Sequence, residues 1–214
     1  MTAGLTQAFN SPDTSPLIVP VKETPEKDKV TVWLTPFTPG EAPDILCRTT
    51  IQTAGSRLHL KYHLEGVDLK TVRLPRPENL STRQDFLWKH TCFEAFWTWE
   101  GTPGYWELNL SPSGAWNLYH FEGYRAGQKR EERVSEVKIL PKPEDPQNLY
   151  SLQTELDLSP LLPSNFKAEL HLGLSAIIET QDLAHSFWAL SHQGKKPDFH
   201  LRESFTCKKY LVTR

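Results

Sequence analysis

Strict alternation constrains this chain more than any other feature. In RLHLKYHL, residues 57–64, Leu58, Leu60, Tyr62 and Leu64 fall on one side, and Arg57, His59, Lys61 and His63 on the other. AELHLGLSAI, residues 168–177, aligns Leu170, Leu172, Leu174 and Ala176 in the same way. Successive side chains of an extended strand point to opposite faces, so this pattern describes strands with one buried face. Similar runs predict strands near 29–35, 45–53, 92–100, 104–111, 114–121, 131–139, 149–157, 185–191 and 203–212. Turn-forming stretches separate them: EGTPG, SPSG, EGYRAG and HQGKKPD. Proline crowds residues 12–43 and recurs in LPKPEDP and LSPLLP, where its missing amide hydrogen marks loops and sheet edges. The one helical signal is a single turn at DLSPLLPS, with Ser159 as N-cap and Pro160 at the first helical position.

Many short strands with almost no helix imply an all-β, single-domain antiparallel β-sandwich with jelly-roll or immunoglobulin-like layers. A chain of 214 residues suits one such domain. Residues 1–28 are expected to form a loosely held, proline-rich segment and residues 29–214 the sandwich. The net charge of -2 comes without a basic stripe, so nucleic acid is not an expected partner. The apolar stretches are too short to cross a bilayer, so no membrane partner is expected. The N-terminal residues lack the pattern of a secretory signal, and the three cysteines, Cys47, Cys92 and Cys207, are odd in number and widely spaced. These features predict a soluble, cytoplasmic protein in a reduced compartment.

The stretch LWKHTCFEAFWTWEGTPGYWELNLSPSGAW, residues 87–116, holds five of the seven tryptophans, with polar residues threaded among them. On the strand predicted at 92–100, Phe93, Ala95, Trp97 and Trp99 share a face, opposite Cys92, Glu94, Phe96 and Thr98. On the next strand Trp106, Leu108 and Leu110 oppose Tyr105, Glu107 and Asn109. One face is apolar and suits a core. The other is mixed, and carboxylates with an amide beside aromatic rings suit a sugar, whose hydroxyls need fixed partners and whose C–H face packs on a ring. A wet outer face is the alternative, since antiparallel sheets commonly have one.

Three blocks, LWKHTCFEAFW, YWELNLSPSGAWNLYHFEGYR and SFWALSHQGKKPDFHLRESF, resemble the DOMON-like domains related to family 9 carbohydrate-binding modules. The likeness runs from about residue 45 to the C-terminus. It implies a β-sandwich in which two tryptophans clamp a sugar ring and a glutamate accepts from its hydroxyls. By this resemblance Trp88 and Glu94 are the first stacking residue and the acid, Trp188 is the second tryptophan, and Asn109 is a polar neighbour. The segment 76–86 would form one wall, with Glu107, Tyr119 and His192 at the site or its rim. The function implied is a non-catalytic binding domain for a saccharide or similar small polar ligand, with no cofactor. A protein-interaction or assembly domain, using the same aromatic surface toward a protein partner, is the alternative from another class.

Other chemistries are weaker. His90, Cys92 and Glu94 alternate and could offer metal ligands from one face, with His192 or His200 as a remote ligand. Haem ligation through methionine has only Met1 to draw on, and bis-histidine ligation lacks a convergent pair. Glu94 and Glu107 could form a glycosidase pair only at a suitable separation with one raised pKa. His59 and His63 read as solvated, and Asp198 in PDFH, a turn able to close over the cleft, reads as a turn former.

Overall fold

The computed structural model describes residues 29–77, 81–145, 148–163 and 165–212. The segment 1–28, expected to be loosely held, lies outside them. Among these residues the chain forms thirteen strands. These are β1 (Val30–Pro36), β2 (Leu46–Ala54), β3 (Arg57–Glu65), β4 (Thr82–Arg83), β5 (Cys92–Trp99), β6 (Tyr105–Leu110) and β7 (Ala115–Phe121). They continue with β8 (Lys129–Arg130), β9 (Lys138–Asp145), β10 (Leu149–Asp157), β11 (Lys167–Glu179), β12 (His185–Ala189) and β13 (Cys207–Val212). Among the described residues no helix is long and apolar enough to cross a membrane.

The strands form two layers. The first runs β1-β2-β3-β10-β9, and the second β4-β7-β6-β5-β11-β12, with β13 added to β11 and β8 to β7. Strand β1 belongs to both: Val30 to Leu34 pair with β2, whereas Thr35 and Pro36 pair with Ala189 and Trp188 of β12. The sheet therefore curls from one layer into the other, and among the described residues every strand pairing is antiparallel except that of β4 with β7. The all-β sandwich is the observed architecture.

The core is what the alternating positions bury. Ile51, Leu58, Leu60, Tyr62 and Leu64 of the first layer meet Phe93, Ala95, Trp97, Leu108, Leu118 and Leu172 of the second in one cluster. Tyr62 packs on Phe93 at 4.9 Å between ring centres, and its hydroxyl donates to the Glu94 main-chain oxygen at 2.7 Å. That bond carries a buried donor across the interlayer gap to a carbonyl on the strand that bears Glu94.

Several expectations shift. The strand expected at 131–139 is β9, displaced toward Asp145, because backbone pairing with β10 starts only at Lys138. The two-residue strands β4 and β8 are too short to show a period. The turn at Ser159–Leu161 is a 3-10 turn preceded by Leu158. Its first amide is held by Asp157 Oδ1 at 2.9 Å, so aspartate rather than Ser159 supplies the cap.

A candidate ligand-binding hollow on the outer face of the second sheet

Parity sends Glu94, Phe96, Tyr105, Glu107, Asn109, Asn117 and Tyr119 away from the core, and the register sets their neighbours. Glu94 lies opposite Asn109, Phe96 opposite Glu107, and Glu107 opposite Tyr119, so the two glutamates are diagonal on adjacent strands. An outer face usually meets water. This one does not: Glu94 is 2% exposed, Glu107 4% and Asn109 0%.

Three connections lie across it. The first is a 3-10 turn at Leu87–Lys89, entered through Phe86 in the left-handed region at φ 63°. It presents Trp88, whose indole meets Phe86 and Tyr119 edge-on at 5.5 and 5.8 Å. The second, between β7 and β8, brings Arg125. The third, ahead of β13, brings Phe199, His200 and Phe205, and the rings of Phe199 and Phe205 pack on Phe96. Gly173, opposite Phe96, makes room: a Cβ there would stand 2.7 Å from the Phe205 ring.

Polar groups under this cover are bonded to one another. Ser175 Oγ donates to Glu94 Oε2 at 3.0 Å, and Asn109 Nδ2 donates to Glu107 Oε1 at 2.7 Å. The Cys92 thiol donates to Asn109 Oδ1 at 3.5 Å. The Tyr119 hydroxyl and Asn117 Nδ2 both donate to Asp85 Oδ1, at 2.7 Å each. Asp198 accepts from Arg125 Nη2 at 2.9 Å, from the His200 amide at 3.1 Å and from the Tyr124 hydroxyl. The Tyr105 hydroxyl lies 2.8 Å from His200 Nδ1.

A hollow of about 290 Å³ opens between the connections, lined by Trp88, Glu94, Phe96, Glu107, Phe121, Arg125, Gln128, Ile177, Phe187, Pro197, Phe199 and His200. This is near the lower end of small-molecule sites, which span about 300–1,000 Å³. Both acids are held above the ordinary carboxylate range. Burial pushes Glu94 up to about 8, reinforced by the neighbouring Glu107 charge, and burial pushes Glu107 up to about 7. Burial also pulls His200 down to about 4, with the Arg125 charge acting in the same direction, so its imidazole is neutral at physiological pH.

No family model matches the chain, and no curated protein matches it in sequence. Some solved structures align with it in three dimensions. One is a Bacteroides uniformis protein with an assigned rather than demonstrated carbohydrate-binding role, similar at a TM-score of 0.61 and 14% identity over 88% of each chain. Two structures of a family 9 carbohydrate-binding module from Caldicellulosiruptor kristjanssonii align at lower scores. The glucose complex gives a TM-score of 0.47 at 9% identity, over 81% of this chain and 80% of that one. The cellotriose complex gives 0.48 at 8% identity, over 88% and 85%. The likeness to the Bacteroides uniformis protein is one of fold.

Of the residues expected at a site, Trp88, Glu94 and Glu107 line the hollow. Asn109 and Tyr119 lie beneath it: Asn109 holds Glu107, and Tyr119 supports Trp88. Trp188 is a correction. It is 3% exposed within the interlayer core, and its Nε1 donates to Ser186 Oγ at 2.9 Å, so its ring has no face for a ligand. The preceding residue, Phe187, points the other way and lines the hollow beside Ile177, its partner across the strands. His192 is set apart, with Nε2 2.8 Å from the Thr35 carbonyl oxygen and its ring on Phe37.

The alternative metal set also fails. His90 precedes β5 and turns to Glu179 Oε2 at 3.1 Å, while Cys92 is sealed against Asn109. Among the described residues no group of three or more His, Cys, Asp or Glu side chains could hold a metal ion. His63, read as solvated, is buried. Within segment 76–86, residues 78–80 lie outside the described residues. Arg76, Thr82, Gln84 and Phe86 line a separate, larger groove of about 600 Å³ rather than a wall of the Trp88 hollow. The buried carboxylate there, Glu179, is already answered by Arg73 and His90.

Periodicity had no means of finding Arg125 and His200, which come from turns. The aromatic composition of SFWALSHQGKKPDFH was a usable signal for Phe187 and Phe199, given the right parity.

Proposed function

We propose that this hollow binds a small saccharide or similar polar ligand without transforming it, in a DOMON-like sandwich related to family 9 carbohydrate-binding modules. The observation that carries the reading is a half-buried indole, Trp88, beside two buried carboxyls that face a hollow sized for about one ring. The indole offers a face for sugar C–H groups, and the carboxyls accept or donate to hydroxyls. The carbohydrate-binding assignment of the Bacteroides uniformis protein of the same fold points the same way. Hydrolysis is the less favoured use of the acids. Glycosidase pairs work by having their two pKa values driven apart, whereas burial drives Glu94 and Glu107 in one direction.

Titration of intrinsic fluorescence with a panel of mono- and disaccharides tests this. A saturable change is expected with at least one sugar. Trp88→Ala should weaken that binding by about 2 kcal/mol, roughly thirtyfold, with the fold retained by circular dichroism. A panel without any response, or affinity unaltered by Trp88→Ala, overturns the reading.

A further inference from the structure

With both acids ionised, the hollow would carry negative charge that no cation of its own fully answers. Four lining side chains titrate: Glu94 from β5, Glu107 from β6, Arg125 from the connection after β7, and His200 from the segment before β13. Arg125 reaches both acids electrostatically, yet its guanidinium is itself answered by Asp198 at 2.9 Å. His200 is neutral, as shown above, and its Nε2 stands 4.0 Å from Glu107 Oε2, beyond hydrogen-bond reach. Other titratable neighbours are the Tyr62 hydroxyl from the opposite layer, the Tyr105 hydroxyl, the Tyr119 hydroxyl opposite Glu107 and the Cys92 thiol, all uncharged near neutral pH because burial raises each.

Each acid also keeps an oxygen in reserve. Ser175 occupies Oε2 of Glu94, and Asn109 occupies Oε1 of Glu107. The second oxygens, Oε1 of Glu94 and Oε2 of Glu107, have no hydrogen-bond donor among the described residues. Much of the remaining wall is ring: Trp88, Phe96, Phe121, Phe187 and Phe199. Carboxylate oxygens within aromatic walls are the chemistry that holds an organic cation, since ring faces attract positive charge and an ammonium donates up to three hydrogen bonds.

We propose that the occupant of this hollow carries an ammonium group, as an amino sugar or comparable small hydroxylated amine. The inference rests on the saccharide reading of the hollow and narrows it. In the empty hollow burial keeps the proton on Glu94 and partly on Glu107 near neutral pH. An arriving ammonium stabilises the carboxylates, so a carboxyl O–H bond breaks and its proton passes to the buffer. Binding near neutral pH therefore releases protons.

Titration calorimetry on the full chain, with D-glucosamine, D-glucose and N-acetyl-D-glucosamine in two buffers of different ionisation enthalpy, separates the outcomes. The amine is expected to bind about tenfold tighter than either neutral sugar, with net proton release. The preference and the release should both collapse in the Glu94→Gln/Glu107→Gln double variant, which preserves side-chain shape. If glucose or N-acetylglucosamine binds as tightly as glucosamine, or if the double variant keeps the preference, the ammonium inference falls while the saccharide reading stands. If none of the three sugars binds, and the disaccharides of the fluorescence panel are also silent, both fall together.

Discussion

The two outer faces of the sandwich read alike in sequence and behave differently. On the first sheet the outward residues toward the Arg57 end of β3 and β10 meet water, although His63 and Ser151 are buried: Arg57 pairs with Glu155, with side chains 51% and 28% exposed. On the second sheet the outward residues of β5 and β6 are sealed, and the acids among them titrate as buried acids. Parity decides which side chains leave the core. What decides whether they reach solvent is the set of connections lying across the face, here the turn carrying Trp88 and the segments carrying Arg125, Phe199 and His200. A polar residue that parity sends outward and a loop then covers must find bonded partners or a ligand.

The largest effect expected from breaking this contrast lies at Trp88 and Trp188, the two tryptophans expected to clamp a sugar. Trp188→Ala removes a ring from the interlayer core and should cost about 3–5 kcal/mol in urea unfolding. Trp88→Ala, taken from a half-buried position on the outer face, should cost about 1 kcal/mol in the same measurement. Equal losses would erase the distinction between a core indole and a site indole.

These two residues also mark how far the sequence could be read. The strands were legible because burial on one face imposes a period of two over β3, β5, β6 and β11. Glu94 and Glu107 were legible because they fall within such strands, and Trp88, on the turn before β5, because the family resemblance pointed to it. Phe187 was not, since choosing between it and Trp188 is a one-residue question of parity, and a single step exchanges the faces. Arg125, with φ at 50°, and His200 sit in turns, where no period exists and position is set by tertiary bonds to Asp198 and Tyr105.

A smaller, graded effect follows from the covered acids. Their native pKa values lie above the unfolded value of about 4.3 for glutamate, so between the two the native state holds protons that the unfolded chain has lost. Stability from this source is complete below the unfolded pKa and is lost as pH rises through the native values. Each carboxyl should contribute a fall of at most about 1.4 kcal/mol per pH unit in that window. Urea midpoints should decline from about pH 6.5 to pH 8, above the range in which the buried neutral His200 opposes the trend, and Glu94→Gln should flatten the decline. A profile that rises across this window would mean that the outer face of the second sheet is as wet as that of the first.

The smallest effect belongs to the wet face, and its smallness is the point. Arg57 and Glu155 form an ion pair across β3 and β10 whose arginine is half in water. Solvent screens such a pair, and ordering two long side chains opposes it, so exposed pairs contribute about 0.2–1 kcal/mol. A double-mutant cycle with Arg57→Ala and Glu155→Ala should give a coupling below about 0.5 kcal/mol that shrinks further in salt. The same cycle between Glu94→Gln and Ser175→Ala probes a bond sealed from water and should exceed it, because removing one partner strands a buried group. If the exposed pair couples more strongly than the buried one, the cover over the second sheet is open in solution, and the hollow beneath it is not the preformed site that its chemistry requires.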